Sequence, residues 1–191
     1  MLLQHAFKEW AVICEALAQG KQSIILRKGG IAEPEGEFGV AETRFWLYPT
    51  YVHQQETGIQ EDLRPLLEET NANRPPAGKL RLQYWAEVAG GYRIRDEVPA
   101  LLLSHLHYWS EETVRQRFHY RMPELYVLVV RVHRTPAPIE IDELNAYEGC
   151  RSWVTLENAL PTEGSTPALD DESFRIVQKQ LDLLLSPTAF A

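Results

Sequence analysis

Apolar positions recur along this chain in two rhythms. Leu3, Phe7, Trp10, Cys14 and Leu17 follow three- and four-residue spacing, which predicts an amphipathic helix over residues 3–19 with Gly20 as its stop. Runs rich in β-branched and aromatic residues predict strands over 22–27, 44–51, 79–88, 124–134 and 149–156, and ELYVLVVRVHR at 124–134 is the densest of them. Gly90-Gly91 reads as a turn after the third strand, and Pro136 and Pro138 as the end of the fourth. Helical spacing returns at 59–69, after Ser110, and from Asp171 to Leu185. Ser110 is a good N-cap, with Glu111 and Glu112 in the first turn behind it. Residues 98–103 form a short apolar segment, and 32–39, 71–78 and 161–169 are connections rich in Gly, Pro and small polar residues. Helices and strands mix without regular βαβ alternation. The expected class is α+β, a small curved mixed sheet or partly open β-barrel flanked by helices. Residues 1–160 read as a single α+β domain, with 161–191 as a loop and C-terminal helix packed on it or extending it.

Composition narrows the class without naming a reaction. The 191 residues are 45% hydrophobic and 24% charged, as in ordinary globular domains. The longest apolar run, 125–130, is strand-sized, and the N-terminus has no basic start, apolar stretch and cleavage site in sequence. Cys14 and Cys150 form no CxxC pair. The expectation is a cytoplasmic protein with no membrane association. Charge changes this reading more. The net of −8 hides an uneven distribution, −5 over residues 1–73, +4 over 74–134 and −7 over 135–191, and 14 of the 19 basic residues are Arg. A locally cationic centre leaves room for a single-site anion reader but argues against a mode that wraps a polyanion. The competing reading is ion pairing among surface neighbours.

Candidate chemistry falls in three places. Arg27-Lys28-Gly29-Gly30 follows a strand, and glycines there would let backbone N–H groups approach an oxyanion; the plainer alternative is a hairpin turn with solvated charges. In FWLYPTYVHQ, period two puts Trp46 and Tyr48 on one face and Phe45 and Leu47 on the other. Trp46 belongs to a core, while Tyr48, Thr50, Tyr51, His53 and Gln54 offer rings and hydrogen-bonding groups for an exposed base. Arg115, Arg117, His119 and Arg121 are the best candidates for phosphate contact, set against an ion-paired surface helix that begins with Glu111 and Arg115. Other signals are thin. His105-x-His107 has metal-site spacing only on a strand, and nothing points to a third ligand, so no metal or cofactor is expected. Cys150 or Ser152 could serve as a nucleophile only with a base beside it, and Lys79 lacks the acids of a PD-(D/E)xK centre. Catalytic residues stay unassigned.

Three stretches carry a resemblance: FKEWAVICEALAQGKQSIILRKGGI at 7–31, FWLYPTYVHQ at 45–54, and HLHYWSEETVRQRFHYR at 105–121, followed by GCRSWV. Together they resemble a bacterial, notably cyanobacterial, family known as a domain of unknown function (number 1802), over most of residues 5–156. The resemblance implies no activity; association of some members with restriction-type nuclease domains hints at a nucleic-acid context. More distantly the chain is similar to the PUA-like superfamily, including its ASCH and EVE branches. The ASCH pattern G-x-K-x-x-E-x-R is matched by Gly20, Lys21 and Arg27, but Ile25 stands where the acid belongs. The leading expectation is a nucleic-acid or nucleotide-binding module with an Arg-rich central face, its partner RNA, DNA or a nucleotide. The alternatives are an enzyme acting on a nucleotide or phosphorylated substrate in a restriction or repair setting, and an accessory subunit that docks a protein partner.

Overall fold

A computed structural model of the chain describes residues 1–28, 42–149 and 151–185. The N-terminal apolar rhythm splits into two elements, strand β1 (Leu2–Trp10) and helix α1 (Ala11–Ala18). The single helix expected over 3–19 is therefore corrected. A spacing of four satisfies a period of two as well as one of 3.6, so Leu3 and Phe7 suit either element, and pairing on both edges selects the strand. Gly20, at a φ of 66°, supplies the left-handed residue that ends α1.

The remaining elements are β2 (Ile24–Arg27), β3 (Arg44–Thr50), α2 (Arg64–Ala72), β4 (Lys79–Ile94), α3 (Glu97–Leu102), α4 (Glu111–His119), β5 (Leu125–Asp142), β6 (Trp153–Pro161), β7 (Thr166–Pro167) and α5 (Asp171–Leu185). Ser110 caps α4 as expected, its hydroxyl accepting from the Thr113 N–H at 3.2 Å. The sheet runs β2-β5-β4-β3-β1-β6, and β7 adds to β5. It is an open, mixed sheet in an α+β fold: β1 and β3 are parallel and every other pair is antiparallel. Among the described residues, no helix is long and apolar enough to cross a membrane.

Two strand ends expected from glycine and proline are not ends. β4 continues through Gly90-Gly91 with its register slipping between Val88 and Gly90, and β5 continues past Pro136 and Pro138 where the ladder is interrupted opposite Leu82 and Tyr84. A bulge frees backbone groups from pairing, so residues without a side chain or an N–H fit inside a strand there. Inside the second break the Thr135 hydroxyl donates to the Gln83 and Ala137 carbonyls.

The second break has a packing consequence. Beyond it, Leu80 and Leu82 share a cluster with Ala6, Trp46, Tyr48 and Trp85, while Ala86 joins Phe7, Phe45 and Leu47 under the helices. The break sets four residues of β5 (135–138) against one of β4 (Gln83), and Leu82 and Tyr84 on either side of it pack on opposite faces, so the outer arm of β4 covers the opposite face of the sheet. Both faces of β1 and β3 are thus buried, and Trp46, expected in a core, is fully enclosed.

Candidate functional site

β1 and β3 run parallel with Lys8 opposite Tyr48, Glu9 opposite Pro49 and Trp10 opposite Thr50. Their carboxyl ends open side by side where the chain turns into α1, the position at which parallel strands leave a crevice. A cleft of about 640 Å³ lies there. Its floor and walls take Lys8, Glu9 and Trp10 from β1, Arg27 from β2, Tyr48 and Thr50 from β3, Arg117 from α4, and the buried Tyr147. Tyr51, Val52, His53, Arg74 and its linker neighbours 75–77, Lys79, Glu143, Glu148, Arg151 and Ser152 form the rim. Six cationic side chains meet three carboxylates among these residues, one of the six, Lys79, being paired with Asp142 at 2.7 Å, so the lining is net positive although the chain as a whole is acidic.

The deepest groups are charged. Glu9 is only 2% exposed; its Oε1 accepts from the Trp10 N–H at 2.9 Å, and its Oε2 has no hydrogen-bond partner among the described residues. The Thr50 hydroxyl donates to the Glu9 carbonyl at 3.0 Å and ties the two strand ends together. Arg27 donates to the Lys8 carbonyl, lies 4.4 Å over the Phe7 ring, and keeps an unpartnered Nε. Arg117 donates to the Leu26 carbonyl at 3.0 Å, with its guanidinium 3.6 Å from the Trp109 ring centre. One edge of Arg117 still meets the cleft, but protein packs round the rest. Its pKa is pushed down to about 10, chiefly by desolvation, with Glu9 opposing the shift and Arg27 adding to it. It remains a cation at neutral pH.

The walls are held from outside. The Tyr48 hydroxyl donates to Glu143 at 2.5 Å, and burial followed by this bond raises its pKa, so the ring is a fixed neutral wall. Lys8 binds the Tyr147 and Gly149 carbonyls. Arg74 stands 5.1 Å over the Tyr51 ring. Trp10 is pressed against Gly58, where an added Cβ would sit 2.5 Å from the indole, so only glycine permits this seating.

Six of the thirteen candidate residues line the cleft: Arg27, Tyr48, Thr50, Tyr51, His53 and Arg117. The others do not meet them there. Lys28 donates to the Phe118 and Glu124 carbonyls, each at 2.9 Å, beside the C-terminal end of α4. Gln54 accepts from the Val12 N–H at the start of α1 and donates to Asn71. Arg115 pairs with Glu97 and Glu111, and His119 with the same Glu97. Arg121 takes a φ of 65° and stands over the Tyr120 ring. Gly29 and Gly30 lie outside the described residues, as does Cys150. The odd-numbered arginines separate because two helical residues turn about 200°: Arg115 and His119 share a face, and Arg117 points the other way.

The central arginines accordingly form no continuous face. Arg93 pairs with Glu124, Arg81 with Glu140 and Arg131 with Asp171, and Arg134 covers Tyr84. His105 closes a 3-10 turn rather than lying on a strand, and buried His107 accepts from the Trp109 N–H at 3.2 Å. Among the described residues, no three His, Cys, Asp or Glu side chains gather in metal-binding geometry. An enzyme reading asks for His53, His105 or His119 beside Arg27 and Lys28, and of these only His53 and Arg27 line the cleft. Lys8, Glu9 and Arg74 are not singled out by sequence reasoning. The signal for Glu9 is an acid in phase with the buried residue Phe7, two positions before it.

Lys28 therefore fastens α4 rather than serving the cleft. Lys28→Ala is expected to lower stability by about 1 kcal/mol in urea unfolding while leaving ligand affinity at the cleft unchanged. A several-fold fall in affinity with stability intact would place Lys28 in the site instead.

Among solved structures, the chain is similar to ASCH from Zymomonas mobilis, at 15% identity and a TM-score of 0.46, covering 92% of this chain and 93% of that one. A tyrosine-to-phenylalanine mutant of that Zymomonas mobilis protein aligns at 14% identity and a TM-score of 0.43, covering 92% of this chain and 96% of that one. No curated protein matches. The profile of the family described as Domain of unknown function (DUF1802) matches residues 6–180, well past the three resembling stretches and into α5. A match of that extent leaves one conclusion: the chain belongs to the DUF1802 family.

Proposed function

We propose that the cleft at the ends of β1 and β3 binds a nucleotide, free or as one residue of a nucleic-acid strand, and that the protein is a single-site binding module. The observation that carries this reading is the company of groups: six cations, with the rings of Trp10, Tyr48, Tyr51 and Tyr147, around one cavity of about 640 Å³. That volume lies in the range of small-molecule sites, and rings beside cations suit a base attached to a phosphate. Arg74 and Arg151, both exposed at the rim, suit the phosphate. The acidic remainder of the surface repels neighbouring phosphates, so contact is local.

Binding to short single-stranded RNA or DNA should therefore be modest and salt-sensitive. With about three phosphates engaged, the logarithm of the affinity falls with log salt at a slope of roughly −2. Arg74→Ala or Arg151→Ala each lowers affinity a few-fold and reduces that slope by about 0.7. Fluorescence anisotropy across a salt series measures both quantities. No binding at low salt to single-stranded, double-stranded or mononucleotide ligands would overturn the reading.

A further inference from the structure

Glu9 is the group a phosphate site does not explain. A carboxylate 2% exposed, with one oxygen lacking any partner among the described residues, sits at the floor of a cationic cleft beside Arg27 and Arg117. Phosphate offers almost nothing but acceptors at neutral pH, and placing it against Glu9 would bring two anions into contact. The arrangement instead suits a planar, neutral edge with an N–H donor next to an acceptor. Glu9 supplies the acceptor for the N–H, and the guanidinium groups of Arg27 and Arg117 donate to the neighbouring acceptor. A nucleobase edge holds this donor and acceptor in one fixed plane; phosphate lacks the donor, and ribose hydroxyls, which act as both, carry them on rotatable bonds that fit a planar floor less well.

We infer that the floor of the cleft reads the edge of a nucleobase, with Glu9 as the specificity-determining acceptor, and that the phosphate stays at the rim with Arg74 and Arg151. This rests on the reading of the cleft as a nucleotide site and reverses the assignment expected from sequence, in which the arginines hold phosphate and the aromatic stretch reads the base. Tyr48 and Gln54 are unsuited to reading because their polar atoms are already engaged with Glu143, Val12 and Asn71. Arg27 and Arg117 are unsuited to a bare phosphate because Glu9 lines the same floor and its carboxylate repels an anion placed there. A floor built to hydrogen-bond one edge rejects a ligand that lacks the donor, because the carboxylate is then left buried and unpaired.

The test follows the fluorescence of Trp10, which lines the cleft, during titration with the four common ribonucleoside 5′-monophosphates, ribose 5-phosphate and inorganic phosphate. The best nucleotide is then compared with analogues whose base N–H groups are methylated one position at a time. Methylation of one N–H is expected to weaken binding at least tenfold, and the two base-free phosphates to bind at least tenfold more weakly than the parent. Glu9→Gln keeps an oxygen for the Trp10 N–H and so preserves the fold, as circular dichroism will verify. It presents a donor where an acceptor stood, and should lose affinity tenfold while erasing the penalty for methylation. Equal binding of ribose 5-phosphate and the nucleotide, or indifference to both methylation and Glu9→Gln, overturns the base-reading floor while leaving a nucleotide site standing. Failure of every nucleotide and oligonucleotide to bind wild-type protein removes both.

Discussion

Arg117→Met should leave the protein at least as stable as wild type while removing its ligand affinity. The guanidinium is carried at a pKa of about 10, against an ordinary value of 12.5, and burial is the main cause. At about 1.4 kcal/mol per tenfold change in proton affinity, keeping that charge costs the folded state at most about 3 kcal/mol, less in practice because one edge still meets solvent in the cleft. Methionine fills a similar volume without charge. Lost with the guanidinium are one hydrogen bond to Leu26 and the contact with Trp109, worth together about 2 kcal/mol. The balance lies between zero and about 1 kcal/mol in favour of methionine, or at most a few degrees in Tm for a chain of this size. Arg117→Ala removes the same charge but leaves a hole, and should be clearly less stable than Arg117→Met. Thermal unfolding of the three proteins beside a nucleotide titration separates the effects. If Arg117→Met loses more than about 2 kcal/mol, the arginine is a structural tie and its place in the cleft says little about ligands.

The second large effect is acid instability centred on one imidazole. His107 is 2% exposed, and its pKa is pushed down to about 4 by burial, then by Arg117 and His105. The unfolded chain takes up this proton below about pH 6.5, and the folded chain resists until about pH 4. Stability from this group is therefore intact above about pH 6.5, declines as pH falls, and is fully lost below about pH 4. The gap between the two values corresponds to roughly 3 kcal/mol. His107→Asn retains an acceptor for the Trp109 N–H and cannot titrate. Its urea midpoint should fall at neutral pH and then decline less than that of wild type between about pH 6.5 and 4. Parallel decline of the two proteins would assign the acid sensitivity to other groups. Because Arg117 packs on Trp109 and adds to the depression of His107, protonation of that ring should also disturb the cleft floor.

Local rules recover the elements whose signals are local. Ser110 caps its helix, Phe45 and Leu47 part from Trp46 and Tyr48 by parity, and Asp171–Leu185 is one helix. Misreadings arise where distant residues decide. β1 looks helical until β3 and β6 pair with it, and the glycines and prolines of β4 and β5 look like stops until bulges absorb them. The site is partly legible: FWLYPTYVHQ and Arg27 do reach the cleft. Its cations, however, come from all three charge regions, Lys8 and Arg27 from the acidic first, Arg74, Lys79 and Arg117 from the basic middle, and Arg151 from the acidic last. Counting charge by region cannot locate such a site, because the sheet order brings together residues at opposite ends of the chain.

The same sheet order sets when the cleft can exist. β1 is sandwiched between β3 and β6, so Leu2 to Phe7 wait for residues 153–161 before their second edge is covered. Loops of this length close slowly, and folding dominated by such pairings is slow for its stability. During synthesis the strand that carries Lys8 and Glu9 is therefore made early and finished late, with an open hydrogen-bonding edge in the interval. Nascent chains that stop short of Trp153 should be prone to strand-to-strand association and should lack a formed cleft, which makes ligand binding a readout of synthesis through residues 153–161.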